Sequence, residues 1–169
     1  LEQNSQEGLA WRKSIESTMQ ACDDIYRQLN VQLADKSIQP EPLVYGESEY
    51  RDDLSKVVSD LLGTGIAEKS DGAVVIFITG FSAPLIIQKS DGGFGYATTD
   101  LAAVRYRVNQ LQANRVIYVV GAPQSQHLKM IFAASAKAGW SKNVVLEHAG
   151  FGSVLGEDGK ILRTRAGAA

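Results

Sequence analysis

Five residues stand where their types and spacing could do chemistry: Tyr96, Asp100, Gln124, His127 and His148. The 169-residue chain has two histidines, and both are in this set. A phenol, a carboxylate, an amide and two imidazoles make a donor–acceptor array suited to a polar or cationic ligand. Each has an ordinary structural alternative. Asp100 suits the positive end of a helix dipole. Gln124 suits a helix start after Pro123. Tyr96 suits a half-buried core aromatic, and either histidine a satisfied polar group at a sheet edge. Near the end, Lys160, Arg163 and Arg165 put three cations within six residues. They form either a solvated loop or a loop that meets phosphate, where Lys and Arg stabilise developing charge.

The elements that must position these residues follow from periodicity. Trp11, Ile15, Met19, Cys22, Tyr26 and Leu29 recur at gaps of three and four, which predicts a helix over Leu9–Leu29 with Cys22 as a small core hydrophobe. Pro40 and Pro42 mark an extended connection over 32–47. Leu54, Val57, Val58, Leu61 and Leu62 predict a helix over Arg51–Leu62, with Gly63 and Gly65 ending it. The run AVVIFI, Ala73–Ile78, reads as a strand buried on both faces, and Leu85–Gln88 as its hairpin partner across GFSAP. Then the chain alternates: helix Asp100–Leu111, strand Arg115–Val120, helix Ser125–Ala138 and strand Asn143–Glu147. This predicts βαβαβ and a parallel sheet, half of a doubly wound α/β fold. Ligands of such sheets bind beyond the carboxyl ends of the strands. That rule puts all five residues at one rim and favours a polar binding site.

Composition narrows the classes. Seventeen basic and 19 acidic side chains give a net charge of −2, so nucleic-acid binding by overall charge is excluded. One cysteine excludes a disulfide framework and a cysteine zinc site. No apolar run approaches the length of a membrane span. Two glycine clusters, GGFG at 92–95 and GFG at 150–152, fit neither a dinucleotide fingerprint nor a Walker A loop.

Longer strings carry a family. KSDGGFGYATTDLAAVRYR, Lys89–Arg107, resembles the arginyl-tRNA synthetase segment K-x-DG-x-x-x-Y-x-TTDLA. NRVIYVVGAPQSQHLKMIF is similar to that family's strand followed by Q-x-x-H, and LEHAGFGSVLGEDGKILRTRAG to the stretch near its signature loop. YGESEY, Tyr45–Tyr50, resembles its L-GES-x-Y element. The likeness runs from about Gly8 to Gly167 with all segments in order. It implies a Rossmann-like parallel sheet, the second half of a class I synthetase catalytic domain, preceded by an N-terminal helical insertion. The expected division is a helical segment over 1–72 and the Rossmann half over 73–169.

The implied activity is ATP-dependent attachment of arginine to its tRNA through an arginyl-adenylate. By resemblance, Tyr96, Asp100 and Gln124 recognise arginine, whose planar five-donor guanidinium suits such acceptors better than a lysine ammonium does. His127, His148, Gly150 and Phe151 are implied on the ATP side. Lys160, Arg163 and Arg165 stand where the signature loop would be, with Arg163 facing phosphate. ATP is the implied substrate, with Mg2+ accompanying it and no prosthetic group. Arginine, ATP and tRNA are the implied partners, with a cytoplasmic location.

Two features depart from the family. No HIGH-type histidine pair occurs, and KILRTR replaces the usual KMSK-type loop. In the family an anticodon-binding helical domain follows the point reached at TRAG. The ends LEQNSQEGLA and TRAGAA read as cut points. The expectation is a central piece of the enzyme, inactive alone and prone to self-associate through an exposed sheet edge and apolar face. The alternative is a stand-alone module that binds arginine or nucleotide without catalysis.

Overall fold

The computed structural model describes residues 5–31, 45–153, 155–156 and 159–161. It forms two compact units, Leu1–Tyr45 and Gly46–Ala169. The division expected between residues 72 and 73 falls inside the second unit, in a tight turn between two strands.

In the first unit α1 spans Gln6–Gln28. It starts a turn earlier than the apolar spacing predicts because the Ser5 hydroxyl accepts a hydrogen bond from the Gly8 N–H at 3.0 Å. The apolar stripe is present, and Trp11, Ile15, Met19 and Leu29 on it are exposed. Cys22 is half-buried, so its expected place in a core is not realised. The connection expected around Pro40 and Pro42 lies outside the described residues.

The second unit opens with a 3-10 segment, Glu47–Asp53, that runs into α2, Leu54–Gly63. Val57, Val58 and Leu61 are its buried face. Three strands follow: β1 Glu68–Ser70, β2 Ala73–Ile76 and β3 Leu85–Gln88. They pair antiparallel in the order β1-β2-β3, with a register shift between Val74 and Val75. Val74, Val75 and Ile76 are all buried, as their unbroken apolar run predicts. Phe77 is exposed beyond the end of β2.

Next come α3 Tyr96–Asn109, β4 Arg115–Gly121, a 3-10 turn Ala122–Gln124, α4 Ser125–Lys137 and β5 Val145–Phe151. β4 and β5 pair in parallel from Arg115↔Val145 to Gly121↔Phe151. The α/β architecture with a parallel sheet is therefore present, but its parallel part is one crossover, β4-α4-β5. The hairpin expected between β2 and β3 forms, but β3, expected also as the first strand of βαβαβ, stays in the antiparallel sheet and is not a neighbour of β4. The link from β2 to β3 is too short for a parallel crossover, which needs a dozen or more residues. Helix α3 begins at Tyr96 rather than Asp100, and β5 runs to Phe151 rather than Glu147.

The core joins α2, α3 and α4 to the antiparallel sheet. Val57, Leu61, Ile76, Ile87, Leu101, Val104 and Ile131 are its fully buried centre. Two polar links fix α3 there. The Thr98 hydroxyl donates to the Ile87 carbonyl of β3, both residues being fully buried. Arg105, about two turns further along the helix, reaches Asp60 of α2 at 2.8 Å.

Candidate functional site

Gly95, with extended backbone, is the N-cap of helix α3 and makes no side-chain cap. Ala97 and Thr98 turn inward, which orients the opposite side of the first turns. Tyr96 and Asp100 are four residues apart, so they lie on one face of the helix. The 3-10 turn after β4 presents Gln124, and the first turn of α4 presents His127 three residues on. These four line one cleft of about 420 Å³ with Glu47 from the 3-10 segment before α2.

Two carboxylates, an amide, a phenol and an imidazole thus converge from three parts of the chain. Asp100 Oδ2 and His127 Nε2 are 2.6 Å apart, a short contact across the junction of α3 and α4. Each side chain is about one-third exposed, at 35% and 33%. Tyr96 is exposed on its helix, open to a ligand rather than packed in the core. That disposes of the core-aromatic alternative for this residue. Asp100 is likewise more than a helix-end acid, because a specific partner holds it.

Behind the cleft, Tyr118 of β4 accepts a hydrogen bond from Arg107 Nη1 at 3.0 Å, and that guanidinium lies over its ring. Burial pushes the Tyr118 phenol up, against the opposing pull of Arg107. The phenol therefore stays neutral across ordinary pH.

His148 is placed differently from the other four. It lies inside β5, and its Nε2 donates to the Val120 carbonyl at 3.0 Å. It is not among the cleft's lining residues. Four of the five residues therefore line one cleft, and His148 stands apart from it. His127, expected on the ATP side with His148, Gly150 and Phe151, bonds Asp100. The stretch from His148 to Phe151 continues the strand past its expected end at Glu147, because β4 offers ladder partners as far as Gly121. Gly150 packs there against the His148 ring, where an added Cβ would come within 3.1 Å. Phe151 is exposed at the end of the strand.

Lys160 sits next to a small bridge, Leu155↔Ile161, closed around Gly159 with its φ of 72°. Arg163 and Arg165 lie outside the described residues. Among the described residues no group of three or more His, Cys, Asp or Glu side chains could hold a metal ion. No described helix is long and apolar enough to cross a membrane.

Glu47 is the cleft residue that the sequence reading did not select. Its signal was available in the GES string of YGESEY, but no helix or strand pattern tied that string to the rim.

The family model for the catalytic domain of class I tRNA synthetases specific for arginine matches residues 2–169. An arginine–tRNA ligase of Thermobifida fusca is 51% identical over 164 residues, covering 94% of this chain and 27% of the relative. One from Hahella chejuensis is 47% identical over 164 residues, covering 93% and 27%. The chain thus spans about a quarter of the length of these curated relatives. The crystal structure of arginyl-tRNA synthetase from Plasmodium falciparum superposes with a TM-score of 0.78 at 36% identity, over 90% of this chain and 26% of that one. Thermus thermophilus arginyl-tRNA synthetase shares the fold at a TM-score of 0.57 and 18% identity, over 95% of this chain and 35% of that one. The fold is the Rossmann-like α/β fold of these enzymes, and the chain belongs to the class I arginyl-tRNA synthetase catalytic-domain family.

Proposed function

We propose that the chain supplies the amino-acid half of the active site in an ATP-dependent arginine–tRNA ligase. One observation carries this reading: Glu47, Tyr96, Asp100 and Gln124 line a single cleft. A guanidinium offers five N–H donors in a plane, and these side chains offer two carboxylates, an amide oxygen and a phenol oxygen to receive them. Asp100 and Glu47 supply countercharge, and Tyr96 and Gln124 supply neutral acceptors.

In the proposed reaction the arginine carboxylate attacks the α-phosphate of ATP. Pyrophosphate leaves and arginyl-adenylate forms. A hydroxyl of the terminal ribose of tRNA then attacks the activated carbonyl, and AMP leaves. His127, His148, Gly150 and Phe151 are proposed on the ATP side, the last three from β5. Lys160, Arg163 and Arg165 are proposed as the cations that meet phosphate, in a loop comparable to the family's signature loop. Mg2+ would come with ATP, held mainly by phosphate oxygens as this ion prefers. The remaining parts of the ATP and tRNA sites would come from sequence outside these 169 residues, so we expect this chain alone not to form adenylate. The proposed setting is cytoplasmic protein synthesis. The exposed apolar outer face of β4–β5 supports self-association of the isolated chain.

The test is Asp100→Asn in the complete ligase. Removing the countercharge from a largely desolvated guanidinium costs on the order of 2–5 kcal/mol. The arginine KM should rise accordingly, with the KM for ATP little changed. An unchanged arginine KM would remove Asp100 from the site. ATP–pyrophosphate exchange by the 169-residue chain alone would overturn the division of the active site.

A further inference from the structure

Asp100 carries the countercharge of the proposed cleft, yet it is already engaged by His127 at 2.6 Å. We propose that His127 is a positioning residue that holds the Asp100 carboxylate and leaves its charge available to a cationic ligand only while the imidazole is neutral. This rests on the reading of the cleft as a guanidinium site and adds its regulation by pH.

The chemistry follows from the two protonation states. A neutral imidazole with its hydrogen on Nε2 donates one hydrogen bond to Oδ2. The carboxylate keeps its full charge, fixed in direction, and Oδ1 remains able to accept from a guanidinium. A protonated imidazolium makes an ion pair with the same carboxylate. An incoming guanidinium then meets a countercharge already neutralised, beside a like charge.

The surroundings make His127 the group that changes. The cleft receives Glu47 from the 3-10 segment, Tyr96 and Asp100 from α3, and Gln124 from the turn before α4. Tyr118 and Arg107 lie behind Asp100, and burial keeps the Tyr118 phenol neutral. Among the described residues no lysine or arginine lines the cleft. In this set only an imidazole ordinarily titrates between about pH 5 and 8. Glu47 retains its own carboxylate, so protonation of His127 weakens cation binding without abolishing it.

The linkage has a definite sign. A cation that binds the neutral-His127 form better must release a proton from that histidine, so arginine lowers the titration midpoint of His127. Conversely, arginine affinity falls as pH falls through that midpoint.

The experiment uses free L-arginine as the probe and has two arms. In the complete ligase, arginine KM is measured between about pH 5.5 and about pH 7.5 for wild type and His127→Asn. Asparagine keeps a side-chain N–H for Asp100 and cannot be protonated in this range. Wild type should lose about tenfold in apparent arginine affinity over this span, and His127→Asn less than about twofold. The KM for ATP, measured in parallel, removes pH effects on the nucleotide. In the second arm the His127 imidazole of the 169-residue chain is titrated by NMR, with wild type compared to Asp100→Asn. Loss of the neighbouring carboxylate should lower the midpoint.

The same pH profile in wild type and His127→Asn would overturn the gating. An unmoved His127 midpoint in Asp100→Asn would overturn the pairing itself. Absence of arginine saturation at every pH would instead overturn the substrate reading, and the NMR arm separates that failure from the other two.

Discussion

Two β regions of this molecule share a residue vocabulary and differ in what they do with it. AVVI of β2 and RVIYVV of β4 are both β-branched runs. In β2 the central residues are buried whichever way they point. In β4 the inward side chain Val116 is 8% exposed, while Val119 on the opposite face is 68% exposed. Val145 and Phe151 extend that exposed face across β5. Parallel strands are ordinarily covered on both sides. The antiparallel sheet, with α2, α3 and α4 against it, therefore holds the stability of the described unit. The parallel pair serves as a platform: its ends, with the start of α4, carry the candidate chemistry.

The largest test of that division is Leu101→Ala. Leu101 is fully buried on α3 at the centre of the core. Truncating it removes apolar burial and leaves a cavity, at a cost of about 2–5 kcal/mol. Denaturant unfolding should show a lower midpoint of that size. A loss under about 1 kcal/mol would mean that the core lies elsewhere.

A smaller effect is expected at the link between α2 and α3. Asp60 receives Lys56 at 3.1 Å and Arg105 at 2.8 Å, and the Lys56 hydrogen bond first, with Arg105 assisting, holds its carboxyl below the ordinary 3.8. A carboxylate lowered on folding stabilises the fold above its unfolded value, and that stability is lost as pH falls through the lower folded value. The loss should therefore set in near pH 4 and deepen below it. Asp60 is 40% exposed and screened, whereas Arg105 is 17% exposed and stacks on Trp140. Asp60→Asn should cost about 1 kcal/mol at neutral pH and flatten the acid side of the stability profile. An unchanged acid slope would assign that dependence to other carboxylates.

Much of this division was readable from particular residues. The 3.6-residue spacing of Leu54 to Leu62 located α2, and the run Ala73–Ile78 identified a strand buried on both faces. The string YATTD put Tyr96 and Asp100 at the entry of a helix read as starting at Asp100; the structure starts it at Tyr96, and the four-residue gap then puts both on one face. Three features were not readable, each for a physical reason. Strand β1, EKS, has no apolar pattern and exists because the turn at Gly72, with its φ of 79°, folds it onto β2. The end of β5 is set by the length of its partner, a non-local fact. The Asp100–His127 contact joins side chains 27 residues apart, and no local spacing states that they meet. The stripe of α1 shows the reverse limit, because periodicity gave the helix while Trp11, Ile15, Met19 and Leu29 on the stripe are exposed.

The smallest predicted effect sharpens the comparison most, because it asks whether the β4 run is core at all in this chain. Val119→Ser removes apolar surface from a side chain 68% exposed, and a central β2 residue treated the same way would lose several kcal/mol. At position 119 little burial is forfeited, and the hydroxyl remains solvated. The change should stay within about 0.5 kcal/mol. If copies of the chain meet through this face, light scattering at high concentration should show less association for Val119→Ser than for wild type. A loss above about 1.5 kcal/mol would mean the outer face is covered in solution. The platform and the core would then be one continuous interior rather than two regions with different duties.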